Sequence, residues 1–244
     1  MANRKLSKSF LSISAHSTTT SEAASFPKEN VVDRTSPQRH WRSTVTSETR
    51  LVINLGAIQT DLTCYLDDVN FTSFKYQQSA NGTTWFDVDP LDPIKTVEND
   101  SMHGVYRSSE NITLTGGNKD FLGIFIPSQS TTDGANYFRI GTFVIPTNIV
   151  ELDADTTVEY PYDVTLPSSH IIENRFPTGK TEKIKLGRLQ PMVISFALKT
   201  GVHQNIKGDG VQEISDLLRD PTETIFLDFN LGESWQAYLV KKSG

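Results

Sequence analysis

The chain has 244 residues and a formal net charge of −6 at neutral pH; 36% of its residues are apolar and 21% charged. That balance suits a chain with a core to bury, and the acidic total speaks against a broad nucleic-acid-binding face, which needs a basic surface. The one cysteine, Cys64, excludes an intramolecular disulfide. The basic opening segment has only "FLSIS" as an apolar piece, too short for a signal-peptide core or a membrane span. The expectation is a soluble protein made in the cytoplasm, with no membrane insertion.

Residues 1–20 read as an extended or flexible arm. Short apolar or alternating runs follow: "RLVINLG" (50–56), "FTSFKYQQS" (71–79), "TTWFDV" (83–88), "ENITLTG" (110–116), "FLGIFIP" (121–127) and "YFRIGTFVIP" (137–146). Gly, Pro, Asn or Asp bounds nearly all of them, the pattern of a sandwich or barrel. Cys64 in "DLTCYL" reads as a small buried hydrophobe. Asn81-Gly82 predicts a tight type I′ hairpin turn, with φ > 0 at both residues. The sequons at Asn70, Asn81 and Asn111 read as chance products of a Thr- and Asn-rich β protein.

A break near 146–154 sets a boundary between 21–149 and 150–244, each an ordinary domain size. In the second part Ile184 and Leu186, then Met192, Ile194, Phe196 and Leu198, alternate on single faces. One helix is predicted over 211–220. Asp209 is its N-cap, Gln212 its capping partner, Val211, Ile214, Leu217 and Leu218 its stripe, and Pro221 its stop. Ile225, Leu227 and Phe229 alternate, and Trp235, Ala237 and Leu239 alternate back as a closing hairpin. The expected fold class is mainly β: two β-sandwich domains, the second with one α-helix.

Four stretches of the first domain resemble discoidin or coagulation-factor type-C modules, a galactose-binding-like family. Val32, Asp33, Trp41 and Ser43 stand where that family has its Asp-Gly and Trp-x-Ser signature. Asn54-Leu55-Gly56 resembles its Asp-Leu-Gly strand end, "SANGTTW" its Ser-x-Asp-Gly-x-x-Trp hairpin, and "YFRIGTFVI" its closing strand. The resemblance implies an eight-stranded jelly roll, with Trp41 and Trp85 in the core. It also implies ligand contacts in the loop 33–40, where Asp33, Arg34, Arg39 and His40 would serve. The family's Gly is Arg34 here, which alters the backbone and adds a positive charge, against a calcium site at Asp33.

The second part resembles the ring-forming domain of tailed-phage distal tail and tail-tube proteins. The order "MVISFALK", "EISDLLRD", "ETIFLDF", "WQAYLVKK" is similar to that pattern. It implies a homo-oligomeric ring, a hexamer by analogy, within a virion tail or baseplate, with neighbouring tail proteins as partners. The Pro-punctuated stretch 150–180 could supply the edges that head-to-tail contacts need.

Catalytic constellations are missing from the sequence. None of the histidines (His16, His40, His103, His170, His203) has a metal-binding spacing, and "HIIE" puts His170 and Glu173 on opposite sides of a strand. Gly179-Lys180-Thr181 lacks the upstream glycine of a P-loop. Asp67-Asp68 and Asp87 with Asp89 are adjacent acids, not carboxylates facing each other across a groove. The expectation is a non-enzymatic, cofactor-free virion component whose jelly roll holds neighbours or touches a host-surface glycan. The alternative is a stand-alone carbohydrate-binding module accessory to a hydrolase.

Overall fold

The computed structural model describes residues 4–7, 9–17, 19–32, 39–57, 59–100, 105–116 and 119–152, and strands at 171–175, 181–185, 224–228 and 237–241. The strands in chain order begin with β1 (Arg4–Ser7), β2 (Ser9–Phe10), β3 (Ser14–Ala15), β4 (Trp41–Arg42), β5 (Thr49–Asn54), β6 (Asp61–Val69) and β7 (Ser73–Ser79). Then come β8 (Phe86–Asp87), β9 (Ile94–Thr96), β10 (Glu98–Asp100), β11 (Val105–Thr113), β12 (Phe121–Ile126), β13 (Arg139–Ile140) and β14 (Thr142–Val144). The last are β15 (Pro146–Thr147), β16 (Val150–Leu152), β17 (Ile171–Arg175), β18 (Thr181–Lys185), β19 (Thr224–Asp228) and β20 (Ala237–Lys241). A single 3-10 turn, Lys28–Val31, is the only helical piece among the described residues; the helix expected over 211–220 lies outside them.

One sheet runs β3–β5–β12–β7–β8, with β9 also paired to β7; a second runs β10–β11–β6–β14. Period-two alternation turns Leu51 and Ile53, Phe74 and Tyr76, and Leu122, Ile124 and Ile126 of the first sheet inward. Leu62, Cys64 and Leu66 of β6, Ile112 of β11 and Phe143 of β14 join the same core from the second sheet. Phe71 meets Phe74 and Phe138 edge-on, each at a centroid distance of 6.1 Å. Burying each such ring contributes about 1.5–3 kcal/mol. The result is a mainly β jelly-roll sandwich, and Trp41 lies wholly inside it. Cys64 is also wholly buried, and desolvation pushes its thiol far above the usual range, so it stays protonated and inert.

The hairpin at Asn81-Gly82 differs from the expected tight turn. Gln78 pairs with Phe86, so seven residues lie between the paired positions, and among Asn81 and Gly82 only Gly82 has positive φ. The side chains build the turn instead. Asn81 Oδ1 accepts from the Thr83 and Thr84 amides at 3.0 and 2.9 Å, and Ser79 Oγ accepts from the Gly82 amide at 2.9 Å. This wider loop keeps Trp85 out of the core. The ring is half-buried on the outer face of the first sheet, and a Cβ added at Gly123 would come within 2.9 Å of it.

Strand β6 carries a bulge. Asp67 and Asp68 together oppose Arg107, and Asp68 takes φ +52°. Gly141 answers it: its amide donates to both Asp67 and Asp68 carbonyls at 3.1 Å, and an added Cβ would lie 2.7 Å from Asp68 Cβ.

The termini meet in one sheet, ordered β16–β1–β19–β20. Leu6 stands between Val150 and Leu227, so Arg4–Ser7 is an inner strand. The closing hairpin forms, with Thr224 opposite Lys241. By contacts the chain divides into one compact unit of residues 1–154 with 208–244 and another of 155–207. The sequence-based cuts are at 20/21 and 149/150. In the second unit, β17 and β18 pair with Ile172 opposite Ile184.

Candidate functional site

The register defines two ends of the sandwich. At one end Thr49 pairs with Ile126 and β7 begins at Ser73; at the other Asn54 pairs with Phe121 and β7 finishes at Ser79.

At the first end β4 pairs with β13, Trp41 opposite Ile140 and Arg42 opposite Arg139. Burying Trp41 forces Arg42 to the outer face. The Arg42 guanidinium lies 3.6 Å from the Phe26 ring centroid and 4.5 Å from that of Tyr137. Its Nε donates to His40 Nε2 at 2.6 Å, and the His40 ring stacks on Phe26 at 4.9 Å and 17°. Asn30 Nδ2 donates to the His40 carbonyl at 3.0 Å. Phe26, His40, Arg42 and Tyr137 are all half-buried, a rigid wall of flat faces with one solvent side.

Of the ligand contacts expected from sequence, His40 sits in this wall and Arg39 is exposed beside it in the chain. Asp33 and Arg34 lie outside the described residues, as does any calcium loop they would form. Phe26, Arg42 and Tyr137 were missed. The signal for Arg42 is its place directly after a core tryptophan in a β run.

Three acids near this end are spoken for. Asp67 accepts from Arg107 Nε at 2.7 Å, and Arg139 bridges Asp68 at 3.1 Å and Asp133 at 3.4 Å. Burial raises the Asp68 carboxyl despite Arg139. Asp133 is also desolvated, but the Ala135 amide, Asn70 and Arg139 outweigh that and lower it. Beyond the bulge, Asp87 pairs with Lys75 at 3.2 Å, and Lys95 spans Asp89 at 3.4 Å and Asp92 at 3.7 Å. Asp89 Oδ1 also accepts from the Leu91 and Asp92 amides, which makes "DVDPLDP" a self-capped turn. These carboxylates serve as ion-pair and turn partners. Among the described residues no three metal-ligating side chains converge.

At the second end a recess of about 690 Å³ opens between residues 79–87 on one side and Thr115, Gly116 and Lys119 on the other. Trp85, Phe86, Gln78, Thr115, Gly116 and Lys119 line it. Gln78 fixes one wall by pairing with the Thr115 backbone, accepting from its amide at 3.1 Å and donating to its carbonyl at 3.2 Å. Arg50 lies over the Trp85 ring at 4.8 Å and donates to Gln77 Oε1 at 2.9 Å. Phe86 is 62% exposed. A smaller recess of about 310 Å³ adjoins at Thr115, between Tyr76, Lys95 and Ile112.

The strand order makes this a jelly-roll sandwich, the architecture of the galactose-binding-like modules that its motifs resemble. No protein-family model matches the chain, and no curated protein matches it. Among solved structures, it is similar to CBM32-3 from a family 31 glycoside hydrolase of Clostridium perfringens at 18% identity. That match covers 55% of this chain and 90% of the other, with a TM-score of 0.41. CBM32-1 from a family 31 glycoside hydrolase of the same organism is similar at 12% identity, covering 55% and 94%, with a TM-score of 0.40. The N-terminal domain of the single-strand break repair protein XRCC1 is similar at 11% identity, covering 60% and 100%, with a TM-score of 0.41. At these identities and scores the likenesses say nothing of what this chain binds.

Proposed function

We propose that the chain is a non-catalytic glycan-binding module, with its contacts at the first end of the sandwich. One observation carries this reading: Arg42 is held between the Phe26 and Tyr137 rings with His40 stacked alongside, half-exposed at a loop end. Aromatic faces take the apolar side of a sugar ring, and guanidinium and imidazole groups take its hydroxyls. Arg39, and Asp33 and Arg34 a few positions before it in the chain, are proposed as further contacts. A glycan array followed by calorimetry on the full chain tests it. Saturable binding that weakens at least tenfold in Arg39→Ala or His40→Ala supports the reading; an array without a single binder ends it.

A second reading makes the chain a structural component of a phage tail or baseplate ring, with copies of itself and other tail proteins as partners. The observation in its favour is the terminal sheet, whose outer strands β16 and β20 each have one strand partner among the described residues. Such edges suit head-to-tail pairing. Against it, β1 of the same chain already occupies the inner margin of β19. Native mass spectrometry and electron microscopy separate the two: closed rings support the tail reading, and a strict monomer that binds glycan rules it out.

A further inference from the structure

Lys119 is 4% exposed, and its Nζ has no hydrogen-bond partner. An unpaired ammonium shielded from water is costly, and native folds rarely leave one without a use. The shielding is local: a Cβ added at Gly116 would stand 3.5 Å from Nζ, and desolvation lowers the lysine pKa. The one acid among the residues that line the recess, Asp87, is already engaged by Lys75 Nζ at 3.2 Å and Gln77 Nε2 at 2.8 Å. An acceptor brought by a ligand would remove the cost.

One wall of the recess is flat and apolar. Trp85 is seated on Gly123, where a Cβ would come within 2.9 Å of its ring, and Arg50 covers it. Phe86 presents an exposed ring beside it. A volume of about 690 Å³ falls in the range of small-molecule sites.

We propose that this recess binds an acidic pyranoside, a sugar ring bearing a carboxylate or sulfate. Its acid pairs with Lys119 once that side chain turns into the recess, and its apolar face lies against the exposed Phe86 ring beside Trp85. The site stands at the opposite end from Arg42 and does not rest on the reading given above.

The test follows the Trp85 indole N–H resonance and the heat of binding on the full chain. Three probes are used: a galacturonic-acid oligosaccharide, a sulfated galacto-oligosaccharide and a neutral galacto-oligosaccharide. At least one acidic probe is expected to shift the Trp85 signal saturably while the neutral one does not; which of them binds identifies the acid. Lys119→Met is expected to weaken that binding at least tenfold, and Trp85→Ala is an independent arm should Lys119→Met not fold. Raised salt is expected to weaken it as well. The proposal is overturned if neither acidic probe moves Trp85, or if Lys119→Met binds as the unaltered chain does. A glycan that binds only at Arg42 leaves Trp85 unmoved, so the two sites fail separately.

Discussion

The two ends of the sandwich handle charge differently. At the Arg42 end Arg107, Arg139, Asp67, Asp68 and Asp133 form ion pairs, and the cationic Arg42 is spread over two rings. At the Trp85 end Asp87 and Lys75 cancel each other while Lys119 is buried alone. Paired charge holds a frame in place; the unpaired one marks where the fold leaves an interaction unfinished. The contrast predicts that substitutions within the ion pairs of the first end act mainly on stability, and loss of Lys119 at the second mainly on binding.

The largest expected effect is Trp41→Ala. It removes the wholly buried ring behind Arg42 and costs about 3–5 kcal/mol in denaturant unfolding. Because Trp41 and Arg42 share a strand, the outer wall loosens with the core. Next, Gly141→Ala drives a Cβ into Asp68 Cβ and the Asp67 carbonyl and costs about 1–3 kcal/mol. Arg139→Met strips Asp68 and Asp133 of their cation. Both pairs are part-exposed, so the loss is about 1–2 kcal/mol at neutral pH. It shrinks as acid protonates the stranded Asp68, which urea melts at two pH values would reveal. A cost as large for Lys119→Met would break the comparison. The expected change there is a gain of up to about 1 kcal/mol, since an unpaired buried ammonium is removed.

The smallest effect is a pH signature between the ends. Burial raises the Glu110 carboxyl above its usual 4.5. The folded chain therefore holds that proton more tightly than the unfolded one, so this group's contribution to stability falls as pH rises above about 4.5. Glu110→Gln is expected to raise Tm by about 1–3 °C at pH 7, with the gap closing near pH 4. The opposite sign applies to Asp87. Burial acts to raise it, but hydrogen bonds from Gln77 and Lys75 prevail and lower it. Its contribution is present above about 3.8 and lost as pH falls below that. Asp87→Asn should therefore flatten the acid limb of the melting curve.

Much of the sandwich was legible because its signals are local. "FLGIFI" alternates as β12 does, and Cys64 is buried as its neighbours suggest. Asn81-Gly82 marks a hairpin, yet its width was not legible, because Ser79 and Asn81 side chains capture four amides and spread the turn. That spread alone moves Trp85 from the expected core position to an outer face. Of the candidate site, His40 was legible through its motif. Phe26 and Tyr137 were not, since nothing in the chain says that residues 111 positions apart flank one guanidinium.

The order of residues by itself determined a β-rich, single-thiol, acidic chain with a jelly-roll pattern in its first part, because alternation and turn chemistry act over a few residues. Tertiary structure alone decided that Arg4–Ser7 lies between Val150–Leu152 and Thr224–Asp228, and that Asp68 and Gly141 lock together at a bulge. It alone also left Lys119 buried without an acceptor. Strand partners and close backbone contacts are set between segments far apart in the chain, and no local pattern encodes which edge or which ion will be met.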